Sequence, residues 1–125
     1  MLVILDTNAL VRFFTKDLPD KAQKVRDLLE TEKDMLIPDV VFPEIEYVLR
    51  TQYSQSREDI LNSFQFISSQ FFIHITPQTR YAITLFAKTK LDMADCIVAA
   101  YSLKGTLASF DKELLKVEEI KPLWK

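Results

Sequence analysis

Leu2-Val3-Ile4-Leu5-Asp6-Thr7-Asn8-Ala9-Leu10 opens this 125-residue chain, and its reading decides the fold. Residues 2 to 5 are apolar at every position, as expected of a central parallel strand covered on both faces. Asp6 ends that run, and residues 7 to 15 read as a short helix carrying Leu10, Val11 and Phe14. A strand that hands over to a helix in this way leaves Asp6 at the strand's carboxyl end. In open α/β sheets that is where ligands sit.

The rest of the chain continues the alternation. Lys21 to Thr31 reads as a helix, with Ala22, Val25, Leu28 and Leu29 spaced for one buried face. Met35-Leu36-Ile37 is a short strand stopped by Pro38. A third helix is expected from about Val40 to Tyr53, with Asp39 as its N-cap and Pro43 tolerated near its first turn. Ser56 to Ser69 makes a fourth helix, opened by the box-like Ser56-Arg57-Glu58-Asp59. Phe71 to Ile75 is a strand, and Pro77 or its neighbour starts a fifth helix to about Lys88. Asp92 to Lys104 is the sixth helix, closed by Gly105 at the C′ position. Thr106 to Ser109 reads as a strand, with a last short one near Ile120. The pattern argues one domain over residues 1–125, an α/β three-layer sandwich with a mainly parallel central sheet flanked by helices.

Composition narrows the chemistry. Hydrophobic residues make up 48% and charged residues 27%, which is ordinary for a soluble globular protein. A formal net charge of −2 gives no global basic field, although a local basic patch beside an acidic pocket would leave the total just as near zero. One cysteine, Cys96, excludes an intrachain disulfide and a cysteine-rich zinc site, and fits a reducing cytoplasm. One histidine, His74, excludes multi-histidine zinc sites. With Gly105 as the only glycine, neither a P-loop nor a dinucleotide-binding glycine fingerprint exists. No apolar run approaches the roughly 18 residues of a membrane span, so a cytoplasmic protein without a membrane partner is expected.

Four carboxylates stand where a solvent-facing charge is out of place. Asp6 ends the first apolar run, Asp111 follows Thr106-Leu107-Ala108-Ser109-Phe110, and Asp95 interrupts Met93-Ala94-Cys96-Ile97-Val98-Ala99-Ala100. Glu44 lies at the edge of the stripe formed by Val41, Ile45 and Val48, whereas Glu46 points away from it and is expected in solvent. Simpler roles compete. Asp6 suits an N-cap, Asp92 suits the cap of the sixth helix with Asp95 at N3, and Asp111 suits the start of a turn. As a set, four inward-leaning carboxylates without buried cations repel one another. A divalent ion relieves that repulsion, and all-oxygen ligands suit Mg²⁺ or Mn²⁺ better than zinc.

Here a resemblance becomes specific. Ile4-Leu5-Asp6-Thr7-Asn8-Ala9-Leu10 is similar to the first motif of PIN-domain nucleases. The stretch from Ile37-Pro38-Asp39 through Glu44 to Tyr47-Val48-Leu49 resembles the second. Asp92-Met93-Ala94-Asp95-Cys96 resembles the third, and Leu107-Ala108-Ser109-Phe110-Asp111-Lys112 the fourth, with Ser109 where threonine is common. The short length resembles most the VapC-type toxins of prokaryotic toxin–antitoxin pairs. The resemblance implies metal-site carboxylates at Asp6, Glu44, Asp95 and Asp111, with Asn8 orienting the site. Asp92 is a further candidate ligand. It also implies Mg²⁺- or Mn²⁺-dependent hydrolysis of RNA, a cognate antitoxin protein and a homodimer.

That chemistry needs no covalent nucleophile, in keeping with the lack of any serine–histidine or cysteine–histidine pair. Arg12 and Lys16, one turn apart behind the first motif, are candidates for the RNA backbone, against the plainer reading of a solvated helix face. His74 reads as an ordinary strand residue and Cys96 as a small core residue. Phe13, Phe14, Phe64, Phe66 and Tyr53 lie at helical spacings and read mostly as core, with any surplus on the first helices open to a partner. Two rivals remain. One is a PIN fold kept for RNA or protein binding without catalysis. The other is an aspartate-nucleophile phosphatase, whose second aspartate is replaced here by Asn8.

Overall fold

The structure, a computed structural model, describes residues 1–124. The trace divides into two compact units, Met1–Thr76 and a second beginning at Pro77. The first holds three parallel strands in the order β1 (Val3–Ile4), β2 (Met35–Leu36) and β3 (Ile73–His74). Val3 pairs with Met35, and Met35 with Ile73. Backbone bonds extend the ladder at both ends, from Val3 N to Asp34 O and from Leu5 N to Leu36 O, each at 2.9 Å. Helices α1 (Thr7–Thr15) and α2 (Pro19–Thr31) connect β1 to β2, and α3 (Val41–Gln52) and α4 (Arg57–Ser69) connect β2 to β3. Parallel strands require such crossovers. This is the expected α/β architecture with a parallel sheet.

β1 is not covered on both faces. It lies at one end of the three-strand order, and Ile4 is 53% exposed while Leu5 is buried. The four apolar residues therefore follow the two-residue alternation of a strand with one covered face. α2 begins at Pro19, two residues earlier than its apolar spacing suggests, because proline suits the first helical turn. Asp39 does not cap α3. Val40 holds that position, and the Asp39 carboxylate instead accepts a 2.7 Å hydrogen bond from the Thr76 hydroxyl. Ser56 does cap α4, accepting from the Asp59 amide at 3.1 Å.

Inside the unit, Phe42, Ile45 and Leu49 of α3 are completely buried, with the Phe42 ring 5.5 Å from that of Phe64 on α4. α1 ends in a left-handed residue, Lys16 at φ 57°, whose amide returns to Arg12 O. Ser54, just beyond α3, is the other non-glycine with positive φ, at 52°. Phe13, Phe14 and Phe66 form a half-exposed aromatic cluster with centroids 5.3–6.1 Å apart. Lys16 and Arg26 line a groove of about 330 Å³ beside them.

The second unit contains α5 (Pro77–Lys88), α6 (Met93–Ser102) and the short α7 (Lys112–Leu115), with α5 packed on α6. Cys96 is buried there as expected. Gly105 does not take the left-handed conformation expected at C′; α6 closes instead with tight backbone bonds, among them Gly105 N to Ser102 O at 3.0 Å. Only an isolated parallel bridge, Leu107 to Pro122, stands where the fourth and fifth strands were expected. Proline lacks the N–H that would continue the pairing. Phe110 and Trp124 stack with centroids 4.8 Å apart. Among the described residues, no helix is long and apolar enough to cross a membrane.

One expectation about α3 is reversed. Glu46, read as a solvated charge, is 6% exposed and lies on the face that carries Phe42 and Leu49, where it has an interaction partner. Glu44 is the exposed one. Positions 42, 46 and 49 differ by four and three residues, so they share one side of the helix. Glu46→Ala is expected to lower unfolding stability by about 1–3 kcal/mol, the cost of disrupting a buried polar interaction, with Glu44→Ala close to wild type. Urea titration of the two variants compares them directly.

Candidate active site

A cleft of the first unit lies between α1 and α3, has a volume of about 620 Å³, and is lined at one end by Asp6, Thr7, Asn8 and Glu44. The chain reaches this arrangement simply. β1 ends immediately before Asp6, and α1 starts at Thr7. Asp6 occupies the N-cap position of α1, with extended backbone at φ −94° and ψ 161°, yet its side chain makes no capping bond. The capping role that competed with a functional one is therefore not exercised. The carboxylate is exposed at the cleft.

Glu44 reaches the same end of the cleft from the first turn of α3. The Thr7 hydroxyl donates a 2.5 Å hydrogen bond to Glu44 Oε1. That bond joins the start of α1 to the start of α3 and fixes the orientation of one carboxylate while Oε2 remains available. Sequence reading passed over Thr7, although its place between Asp6 and Asn8 was the available signal.

The other two candidates belong to the second unit. Asp95 sits at N3 of α6, half-buried, and its amide donates to Asp92 Oδ1 at 2.8 Å. Asp92 is thus a working N-cap. Asp111 caps α7, accepting from the amides of Glu113 at 3.0 Å and Leu114 at 3.2 Å through Oδ1. Among the described residues, no three His, Cys, Asp or Glu side chains stand in a group able to hold a metal ion. What the first unit contributes is a pair of carboxylates with a hydroxyl and an amide, all of them hard oxygen donors. That donor chemistry suits Mg²⁺ or Mn²⁺ and gives nothing for a thiophilic ion.

The far end of the cleft is a network that sequence reading missed. Arg12 Nη1 donates to Asp17 Oδ2 at 2.7 Å and to the Tyr53 hydroxyl at 3.1 Å, while Tyr53 donates to the same Asp17 oxygen at 2.5 Å. Thr15 donates to Asp17 Oδ1 at 3.0 Å. Arg12 is therefore an ion-paired wall of the cleft, and its Nε is buried without a hydrogen-bond partner. Lys16 lines the separate groove beside Phe13 and Phe14. Helical spacing held the signal for the lining though not for these contacts, since Val11 and Arg12 follow Asn8 by one turn and Tyr47, Val48 and Gln52 follow Glu44 by one and two.

The profile of the PIN domain matches residues 3–120. The chain belongs to the PIN-domain family. No curated protein and no solved structure shows significant similarity to it. Family membership accounts for the parallel sheet and for the nuclease-type fold, and all four motif acids of this PIN domain fall inside the matched region.

The network at Asp17 makes a measurable prediction. Hydrogen bonds from Tyr53 above all, then from Thr15 and Arg12, hold the Asp17 carboxyl below the ordinary carboxylate range against the opposing effect of desolvation. A depressed folded pKa contributes stability that is present above the unfolded value of about 3.9 and is lost as pH falls through the lower folded value. Wild type should exceed Asp17→Asn in stability at neutral pH. The difference should shrink as pH drops below about 4, as followed by urea unfolding at several pH values.

Proposed function

We propose that this PIN domain is a Mg²⁺- or Mn²⁺-dependent endoribonuclease, the toxin of a toxin–antitoxin pair, acting on RNA in the cytoplasm. The observation that carries the reading is Asp6, a carboxylate at a helix N-cap that leaves the cap unused and faces a cleft shared with Glu44. Asp92 and Asp111 occupy equivalent cap positions and do use them. Support for the toxin role is the order and spacing of the four motifs. The half-exposed cluster of Phe13, Phe14 and Phe66 is a face for the antitoxin or for a second copy.

Asp6 and Glu44, joined by Asp95 and Asp111, are the proposed holders of the ion, with Asp92 as a further candidate. When bound, such an ion lowers the pKa of a water and offsets charge on the phosphoryl oxygens. The chain's own residues do the positioning. The Thr7 hydroxyl orients Glu44, and Asn8, in the first turn of α1, presents its amide at the same end of the cleft. No side chain is asked to attack phosphorus.

Cleavage of a fluorescent single-stranded RNA should require Mg²⁺ or Mn²⁺ and stop in excess EDTA. Asp6→Asn and Glu44→Gln should each lower the rate at least about a hundredfold, the scale of losing a transition-state electrostatic contact, with melting behaviour near wild type. Growth arrest on expression should disappear with Asp6→Asn. Full cleavage in EDTA by nuclease-free protein overturns the metal-dependent reading. Folded wild-type protein that binds RNA but never cleaves it leaves a binding module.

A further inference from the structure

The cleft extends well beyond its two carboxylates, and its far half has a different chemistry. Val11 and Val48 make apolar walls, Tyr47 presents an aromatic ring, and Gln52 and Tyr53 contribute polar groups. Gln52 lies two helical turns beyond Glu44, so about 12 Å separates them along α3. Arg12 brings no unopposed charge to this half, because Asp17 is paired with it at 2.7 Å. The near half is anionic, and the groups lining the far half carry no unpaired charge. Such a lining matches a flat, uncharged group with a polar edge.

Tyr47 and Gln52 have the attributes such a group requires. Tyr47 is 59% exposed although it lines the cleft, and the Arg50 guanidinium lies 5.9 Å from its ring centroid, a cation–π distance that steadies the ring. The Gln52 side chain is exposed and makes no hydrogen bond among the described residues, leaving both a donor and an acceptor open. An exposed ring beside an open amide is the combination by which proteins hold single-stranded nucleic acid, stacking on the base and hydrogen-bonding to its edge.

We propose that the far half of the cleft is a nucleobase subsite, in which one base of single-stranded RNA stacks on Tyr47 and meets Gln52 along its edge. Tyr53 and Asp17 are positioning residues, holding Arg12 as the end wall. The subsite rests on the ribonuclease reading for its substrate class, and it sets which base stands beside the scissile phosphate.

The test is binding, not cleavage. Labelled decamers of oligo(U), oligo(A) and an abasic strand of the same length are titrated with the full chain in excess EDTA and followed by fluorescence anisotropy. Tyr47→Ala should weaken binding of a base-bearing strand by roughly 5- to 150-fold, the range spanned by base–aromatic stacking. Tyr47→Phe should stay within about threefold, since it keeps the ring that stacking requires. Gln52→Ala should alter the ratio of oligo(U) to oligo(A) affinity. The abasic strand should bind wild type and Tyr47→Ala alike, and more weakly than base-bearing strands bind wild type. Equal binding of abasic and base-bearing strands by wild type overturns the subsite without any substitution, as does unchanged affinity in Tyr47→Ala. Metal-dependent cleavage indifferent to Tyr47 sinks the subsite and leaves the nuclease standing. Tyr47-dependent binding without cleavage in Mg²⁺ or Mn²⁺ does the reverse.

Discussion

The rotation of α3 about its own axis is the constraint on which the cleft depends. Phe42, Ile45 and Leu49 have no exposed surface, and burying three such side chains is worth several kcal/mol in aggregate, of the order of 1.5–3 kcal/mol each. Turning the helix by one residue, about 100°, exposes part of that surface, so no single polar contact can override the setting. With the phase fixed, Glu44, Tyr47, Val48 and Gln52 all reach the cleft. Glu46 is carried inward by the same rotation and is tolerated there because it has a partner.

Three aspartates at helix starts show how one residue type divides between structure and chemistry. Asp92 and Asp111 accept backbone N–H groups of the first turn, which otherwise lack partners. Asp6 stands at the same kind of position without making that bond. The first turn of α1 therefore forgoes a stabilising contact worth about 1 kcal/mol in typical caps. A residue whose cap is left unused is one that the fold does not need as an aspartate, and its carboxylate is available to a ligand.

Much of this was legible in the sequence, and the failures have physical causes. α1 and α5 occupy their expected bounds, since Asp6 and Pro77 mark clear starts. The caps at Ser56 and Asp92 were readable because a cap is a local bond between residues three apart. Strand lengths were not, because parallel pairing is decided by distant segments; the run at Thr106–Ser109 retains only the bridge from Leu107 to Pro122. The assignment of Glu44 and Glu46 failed halfway. Val41, Phe42, Ile45, Tyr47, Val48 and Leu49 surround α3 with apolar side chains, so its buried side cannot be phased from period alone. Glu44, expected at the edge of the buried stripe, is exposed and lines the cleft, while Glu46, expected in solvent, is in the core. The Arg12–Tyr53–Asp17 network was invisible, because Arg12 and Tyr53 are 41 positions apart.

Glycine appears once in the chain, at position 105, and there it does not use its special conformational freedom. Among the described residues the two left-handed ones are instead Lys16, which ends α1, and Ser54, just beyond α3. Each carries a backbone strain of about 1 kcal/mol or more that a glycine would not. In exchange, the unfolded chain has fewer conformations to lose. Both helices that wall the cleft thus stop at stiff corners, and no glycine hinge exists anywhere from Met1 to Lys104. Glycine at either corner would relieve the strain of the folded chain and enlarge the unfolded ensemble at once, so the two effects oppose each other.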